Sequence, residues 1–185
     1  MGMPDTARRY TVDQVLAFPP DGNRYELVDG ELLVTPAPAQ RHEIVLVRLA
    51  FSVEQYLRQS PGVALMFVSR GDVIWGPGEY VQPDLFVVPA HEVTGDWRDC
   101  RTLLLAAEIV SPSSAQADRV RKRRLYQRRG VAAYWVVDPD ARVVEVWRPD
   151  QDRPELLTDT VRWRVTPEAS ELAVAVPSLF VELPA

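Results

Sequence analysis

Three residues have the types and spacing for hydrolytic chemistry on a phosphate ester: Asp84, Glu108 and Lys122. Asp84 follows Gln82-Pro83. Glu108 is the single acid in Leu103-Leu104-Leu105-Ala106-Ala107-Glu108-Ile109-Val110, an otherwise apolar run that reads as a strand. A carboxylate in such surroundings is costly unless it is paired, bound to a metal or protonated. Lys122 stands out by composition. The chain has 21 basic residues, and Lys122 is the only lysine among them. Arginine does not give up a proton in a protein, whereas lysine is a compact point charge with a tunable pKa. Two strand-borne acids with a lysine nearby form a set suited to cleaving phosphodiesters. Asp84 and Glu108 would hold a divalent ion, which lowers the pKa of a bound water. The lysine would orient that water or offset developing charge. Hard oxygen ligands suit magnesium or manganese.

Asp118, Lys122 and Tyr126 recur every four residues and share a helix face. They lie in a segment read as a helix from about Ala115 to Arg129, capped by Ser113 or Ser114 and stopped by Gly130. Leu125 lies beside Lys122, while Arg119, Arg123, Arg124 and Gln127 spread over the other side. Lys122 is therefore expected to face the sheet. A plain structural Asp118–Lys122 pair accounts for the same spacing. Between residues 119 and 129 stand Arg119, Arg121, Lys122, Arg123, Arg124, Arg128 and Arg129. This run is either a basic patch that contacts phosphates or a solvated helix face.

The elements that must position these residues follow from periodicity and turn chemistry. Residues 1–9 read as a loose leader, and Thr11 to Phe18 as a short helix with Thr11 as N-cap. Tyr25 to Val28 and Leu32 to Thr35 form a hairpin around Asp29-Gly30. Arg41 to Arg58 is helical, with Val45, Leu49, Val53 and Tyr56 on one face. Val63 to Val68 and Asp72 to Trp75 read as strands around Arg70-Gly71, and Tyr80 to Val88 as one strand holding Asp84. His91 to Arg101 is a polar excursion. Ala132 to Val137 and Arg142 to Trp147 pair around Asp138-Pro139-Asp140, followed by strands at Leu156 to Val165 and Leu172 to Glu182. The order predicts an α/β or α+β sheet with two principal helices, an N-terminal hairpin and extra C-terminal strands.

At 185 residues the chain is long enough for one domain, expected over 1–185, with a sizeable core. The net charge of −5 gives no broad electrostatic reason to bind nucleic acid. The single cysteine, Cys100, excludes an internal disulfide and fits a reducing cytoplasm. With only His42 and His91 beside it, a Cys/His zinc site is disfavoured. No apolar run approaches the ~20 residues of a membrane span, and the N-terminus lacks a signal-peptide pattern, so no membrane association is expected.

Several stretches together resemble the Uma family of proposed restriction endonucleases, a bacterial family in the PD-(D/E)XK nuclease superfamily. They are Tyr25-Glu26-Leu27-Val28-Asp29-Gly30-Glu31-Leu32, His42, Gln82-Pro83-Asp84, Glu108-Ile109-Val110-Ser111-Pro112-Ser113, Asp118 with Lys122 and Tyr126, and Gly130-Val131 through Tyr134-Trp135-Val136-Val137-Asp138-Pro139. The resemblance covers about residues 24–148. It implies a restriction-endonuclease-like fold, Asp84 and Glu108 as the motif's acids and metal ligands, and DNA as the nucleic-acid partner. A homodimer is expected as well, since cutting both strands needs two sites. One departure is that the motif's lysine belongs two residues after the second acid, where this chain has Val110. The resemblance suggests that Lys122 takes that role.

Weaker candidates are His42 and Glu31, with Glu26. His42 sits near the start of a helix, where it touches metal or water or is simply exposed. The two acids match the family pattern, yet each also fits a solvent-facing or hairpin position. Ser111 reads as a turn residue, Tyr134 and Trp135 as core, and Asp138-Pro139-Asp140 as a turn. Two other functions fit the same residues. One is a catalytically silent nuclease fold that binds nucleic acid or a partner, and the other is a metal-dependent hydrolase of another phosphate ester.

Overall fold

A computed structural model describes residues 8–68 and 71–184. The expected leader falls largely outside these residues, as does Arg70. A short helix α1 (Val12–Leu16) opens the described chain, with Thr11 and Gln14 forming a reciprocal capping box. Strands β1 (Arg24–Val28) and β2 (Glu31–Thr35) follow as an antiparallel hairpin. Its tip residues Asp29 and Gly30 both have positive φ (54° and 78°), as a type I′ turn requires. Helix α2 (Gln40–Leu57) buries Val45, Leu46, Leu49, Val53, Tyr56 and Leu57, the face predicted from periodicity.

After α2 come β3 (Ala64–Val68), β4 (Val73–Gly76), β5 (Glu79–Val81), β6 (Leu85–Pro89) and β7 (Leu105–Ile109). Two 3₁₀ turns, Ala90–Glu92 and Trp97–Asp99, fill the polar excursion before β7. The predicted strand from Tyr80 to Val88 is in fact two strands in different sheets, parted at Gln82-Pro83-Asp84. Pro83 has no N–H for a ladder, so pairing stops there and the chain changes sheet.

A π-helical turn (Ala117–Lys122) runs into α3 (Arg123–Arg128) where one continuous helix was expected. Then follow β8 (Tyr134–Asp138), β9 (Val143–Trp147), β10 (Glu155–Leu157), β11 (Thr160–Trp163), β12 (Leu172–Ala175) and α4 (Val176–Leu179). Leu156 to Val165 is therefore divided between two strands. The last predicted strand ends at Ala175, because Pro177 in the next turn suits a helix start better than a ladder.

The central sheet has the order β10-β9-β8-β7-β6-β3. Only β7 and β8 run parallel, joined by the crossover that carries the π turn and α3. Every residue of β7 is buried, as expected of a strand covered on both faces. Leu105, Ala107 and Ile109 pack with α2 and the β11–β12 hairpin. Ala106 packs with Leu125 and Tyr126 on the opposite face, and strand alternation puts Glu108 on that same face. A smaller sheet, β2-β1-β5-β4, contributes Val28, Val73 and Val81 to this second core.

Gly71 packs against that core at Phe86. A Cβ there would lie 2.6 Å from the Phe86 ring. Gly71→Ala should therefore cost about 1–3 kcal/mol by overpacking, read as a lowered urea midpoint with an unchanged m-value.

Candidate active site

Asp84, Glu108 and Lys122 are brought together at the junction of the two sheets. The break at Pro83 turns Asp84 beneath the end of β7, where its Oδ2 accepts the Ile109 N–H at 2.9 Å. The same oxygen is hydrogen-bonded to His42 Nε2 at 3.0 Å, and Oδ1 accepts from Arg24 Nη1 at 2.7 Å. On the next strand Glu108 is fully buried. Its Oε1 accepts from Lys122 Nζ at 3.0 Å and from the Tyr126 hydroxyl at 2.9 Å, while its Oε2, like Glu26 Oε2 and Asp118 Oδ1, is buried without a hydrogen-bond partner among the described residues.

Lys122 is 1% exposed. Its ammonium lies 2.8 Å from Glu26 Oε2, 3.0 Å from Glu108 Oε1 and 3.4 Å from Asp118 Oδ1. The π turn makes this possible. The Arg123 N–H donates to the Asp118 carbonyl, five residues back. A turn wider than that of an α-helix brings residues four apart closer to one line, so Asp118 and Lys122 both point at the sheet. Single π turns of this kind are frequent at functional sites.

Four buried carboxylates, Glu26, Asp84, Glu108 and Asp118, thus surround two permanent cations, Arg24 and Lys122, with His42 at the rim. Burial alone would lower the Lys122 pKa, but Glu108, Glu26 and Asp118 outweigh it and keep the ammonium charged. Burial also opposes the charge on Asp84, yet the His42 hydrogen bond and the Arg24 guanidinium hold its carboxyl well below the usual range. Glu108 goes the other way. Burial pushes it well above an ordinary glutamate, and the Asp84, Asp118 and Glu26 charges add to that against Lys122. Asp118 is raised by burial and by Asp84. Burial works against a charged His42, but Asp84 and Glu43 raise its pKa.

The weaker candidates part company. His42 joins the site through Asp84. Glu31 is exposed and pairs with Arg121 at 3.3 Å, outside the cluster. Glu26, one hairpin strand away, is the acid that enters. Arg24 carried no signal of its own in the sequence, although it stands two residues before Glu26 and so on the same face of β1. Ser111, Ser113 and Ser114 bond to one another in the turn after β7. Tyr134 and Trp135 are core, and Asp138 closes its turn by accepting from the Asp140 and Ala141 N–H groups.

The helical arginines are mostly spent inside the chain. Arg119 pairs with Asp138 and Glu145, Arg128 with Asp29 and Arg129 with Glu79. Arg123 bonds to Gln127 and lies over Trp147. Arg124 alone of this run has neither ion pair nor hydrogen bond among the described residues. A cleft of ≈ 230 Å³ opens over Asp84 between the Pro36–Ala39 loop and the Ser111–Ser114 turn, with Arg24, His42 and Ile109 lining its floor.

The family model for Uma2, described as “Putative restriction endonuclease”, matches residues 12–177. The chain belongs to the Uma2 family. A solved structure from Anabaena variabilis, described as a “putative nuclease” of a domain family of unknown function, is similar to this chain at a TM-score of 0.77. It is 21% identical, and the match covers 94% of this chain and 99% of that one, which shows the shared nuclease fold. No curated protein matches the chain.

Restriction-endonuclease-like members of this kind imply a divalent metal. Among the described residues no three His, Cys, Asp or Glu side chains converge as a ready-made ion cage. The donors nevertheless fit a hard cation. Magnesium commonly takes one or two carboxylates and keeps several waters. The unpartnered Glu108 Oε2, in a cluster with excess negative charge, is the kind of group such an ion satisfies. Asp84 and Glu108 would hold it in this Uma2-family chain, with Asp84 exchanging one of its present contacts.

The opposed shifts set a pH signature. A folded-state pKa raised above the unfolded value, as at Glu108, gives stability that is full below the unfolded carboxyl range and lost as pH rises through the folded value. Glu108→Gln without added metal should therefore melt higher than wild type at pH 8, at about 2–4 °C per kcal/mol for a chain this size. The gap should close toward pH 4. Equal melting temperatures across that range would contradict the shift.

Proposed function

We propose that the protein is a metal-dependent endonuclease that hydrolyses phosphodiester bonds, with DNA as substrate. The observation that carries this reading is the Lys122 ammonium, buried on Glu108 in one cluster with Asp84, which itself lines an open cleft. Asp84 and Glu108 are the ligands for magnesium or manganese, which when bound would lower the pKa of a water and stabilise charge on the transferring phosphate. Lys122 stays protonated, so it acts as a fixed positive charge and hydrogen-bond donor toward the attacking water or the developing oxyanion. The Tyr126 hydroxyl and Lys122 together fix the Glu108 rotamer. Arg24 and His42 orient Asp84 and line the cleft that a phosphate would enter. Val110 at the motif's usual lysine position leaves this work to Lys122. The protein would work in the cytoplasm, as a homodimer when both strands are cut.

A second reading draws support from one observation. With most arginines of the 119–129 segment paired within the chain, that segment offers few free cations to grip a long duplex, as in a silent partner-binding protein or a hydrolase of small phosphate esters. Binding to long DNA that falls steeply with salt separates the nuclease from these, because each released phosphate counterion adds to the slope.

The test is conversion of supercoiled plasmid to nicked circle in magnesium or manganese. Lys122→Ala and Glu108→Ala should each lower the rate by about 10²–10³-fold, the scale of losing one preorganised charge or donor at a reacting phosphate. Nicking by Lys122→Ala at the wild-type rate would remove Lys122 from the chemistry.

A further inference from the structure

The cluster contains two acids that the nuclease motif does not require, Asp118 on the same helical segment as Lys122 and Glu26 from outside it. Glu26 lies on β1 of the N-terminal hairpin, is 0% exposed, and approaches Lys122 more closely than Glu108 does (2.8 Å against 3.0 Å). Its Oε1 accepts the Gln82 N–H at 2.8 Å, while Oε2 meets the ammonium as an ion pair without a hydrogen bond. Gln82 is the residue at which the chain leaves the small sheet, two positions before Asp84. The Gln82 carbonyl is held as well, by Arg24 Nη1 at 3.0 Å, and that same nitrogen reaches Asp84 Oδ1. Side chains two apart on β1 thus grip both backbone polar groups of Gln82. At the same time one of them touches Asp84 and the other touches Lys122.

We propose that Glu26 is a positioning residue for the phosphodiester reaction, which holds the Lys122 ammonium against Glu108 and ties it to the Asp84 segment. Without Glu26, the ammonium has Glu108 and the more distant Asp118 as its remaining carboxylates. Its place over β7 is then set by the side chain's own rotamers. Arg24 serves the same end from the Asp84 side. The hairpin is accordingly part of the active centre rather than an appendage to the central sheet. This inference rests on the nuclease reading for its kinetic consequence and on geometry alone for the contact itself.

The sole-lysine composition makes the contact directly observable. Lysine labelled with ¹⁵N gives a single side-chain ammonium signal, that of Lys122. In the wild type, with glutamate labelled in ¹³C, through-space ¹⁵N–¹³C dipolar couplings measured in the solid state should connect this nitrogen to the carboxyl carbons of two glutamates. Glu26→Gln should remove one coupling, move the ammonium signal and speed its proton exchange. In the nicking assay the same variant should lower kcat about 10–100-fold, the usual cost of removing a residue that orients another, with KM for DNA unchanged. Glu26→Asp should recover part of the loss. A wild-type signal coupled to one glutamate only overturns the proposal, and so does a Glu26→Gln enzyme with wild-type kcat. If the wild type cuts no nucleic acid in either metal while both couplings are present, the nuclease reading fails and the Glu26–Lys122 contact stands.

Discussion

A lysine ammonium buried among carboxylates from three separate parts of the chain is the constraint on which the site depends. A lone charge at that depth would be lost to neutralisation or unfolding. Lys122 remains charged because Glu108 comes to it from the central sheet, Glu26 from the hairpin and Asp118 from its own helix. Removing the cation from such a cluster leaves uncompensated carboxylates, so its loss is strongly felt even where buried pairs add little net stability. The geometry of the centre and the folding of the two sheets against each other are therefore one problem.

Each piece of irregular backbone serves that convergence. Pro83 ends one sheet and begins another, which leaves Asp84 facing the last residues of β7. The parallel pairing of β7 and β8 forces a crossover, and the crossover returns a helix over the Glu108 face. The π turn in that helix aligns Asp118 with Lys122. The carboxylates still outnumber the cations, and the raised Glu108 pKa with its unpartnered oxygen records the imbalance. A proton on Glu108 relieves it, and so would a divalent cation.

Much of this is legible in the residues. The isolated acid in the β7 run and the single lysine of an arginine-rich chain point to Glu108 and Lys122 by composition and pattern alone, and i, i+4 spacing correctly places Lys122 toward the sheet. The hairpin at Asp29-Gly30 and the buried face of α2 follow from turn chemistry and period. Three features do not show. The strand holding Asp84 looks continuous, because apolar runs on both sides of Pro83 share the same period although they join different sheets. The π turn has no periodic signature over so few residues. Glu26 is indistinguishable from Glu31 in sequence, since facing direction in a hairpin is decided by what packs on it. The cation run from Arg119 to Arg129 looks available, yet most of its partners lie far off in sequence, at Asp29, Glu31, Glu79, Asp138 and Glu145.

The most direct measurement is calorimetric titration of manganese into the wild type and Glu108→Ala at neutral pH, repeated in buffers of different ionisation enthalpy. Metal ligands must be deprotonated, so any proton exchange on binding appears as a buffer-dependent heat. A metal site at Asp84 and Glu108 predicts saturable binding to the wild type and loss of that binding in Glu108→Ala. No binding to the wild type, or binding that survives the substitution, would contradict it.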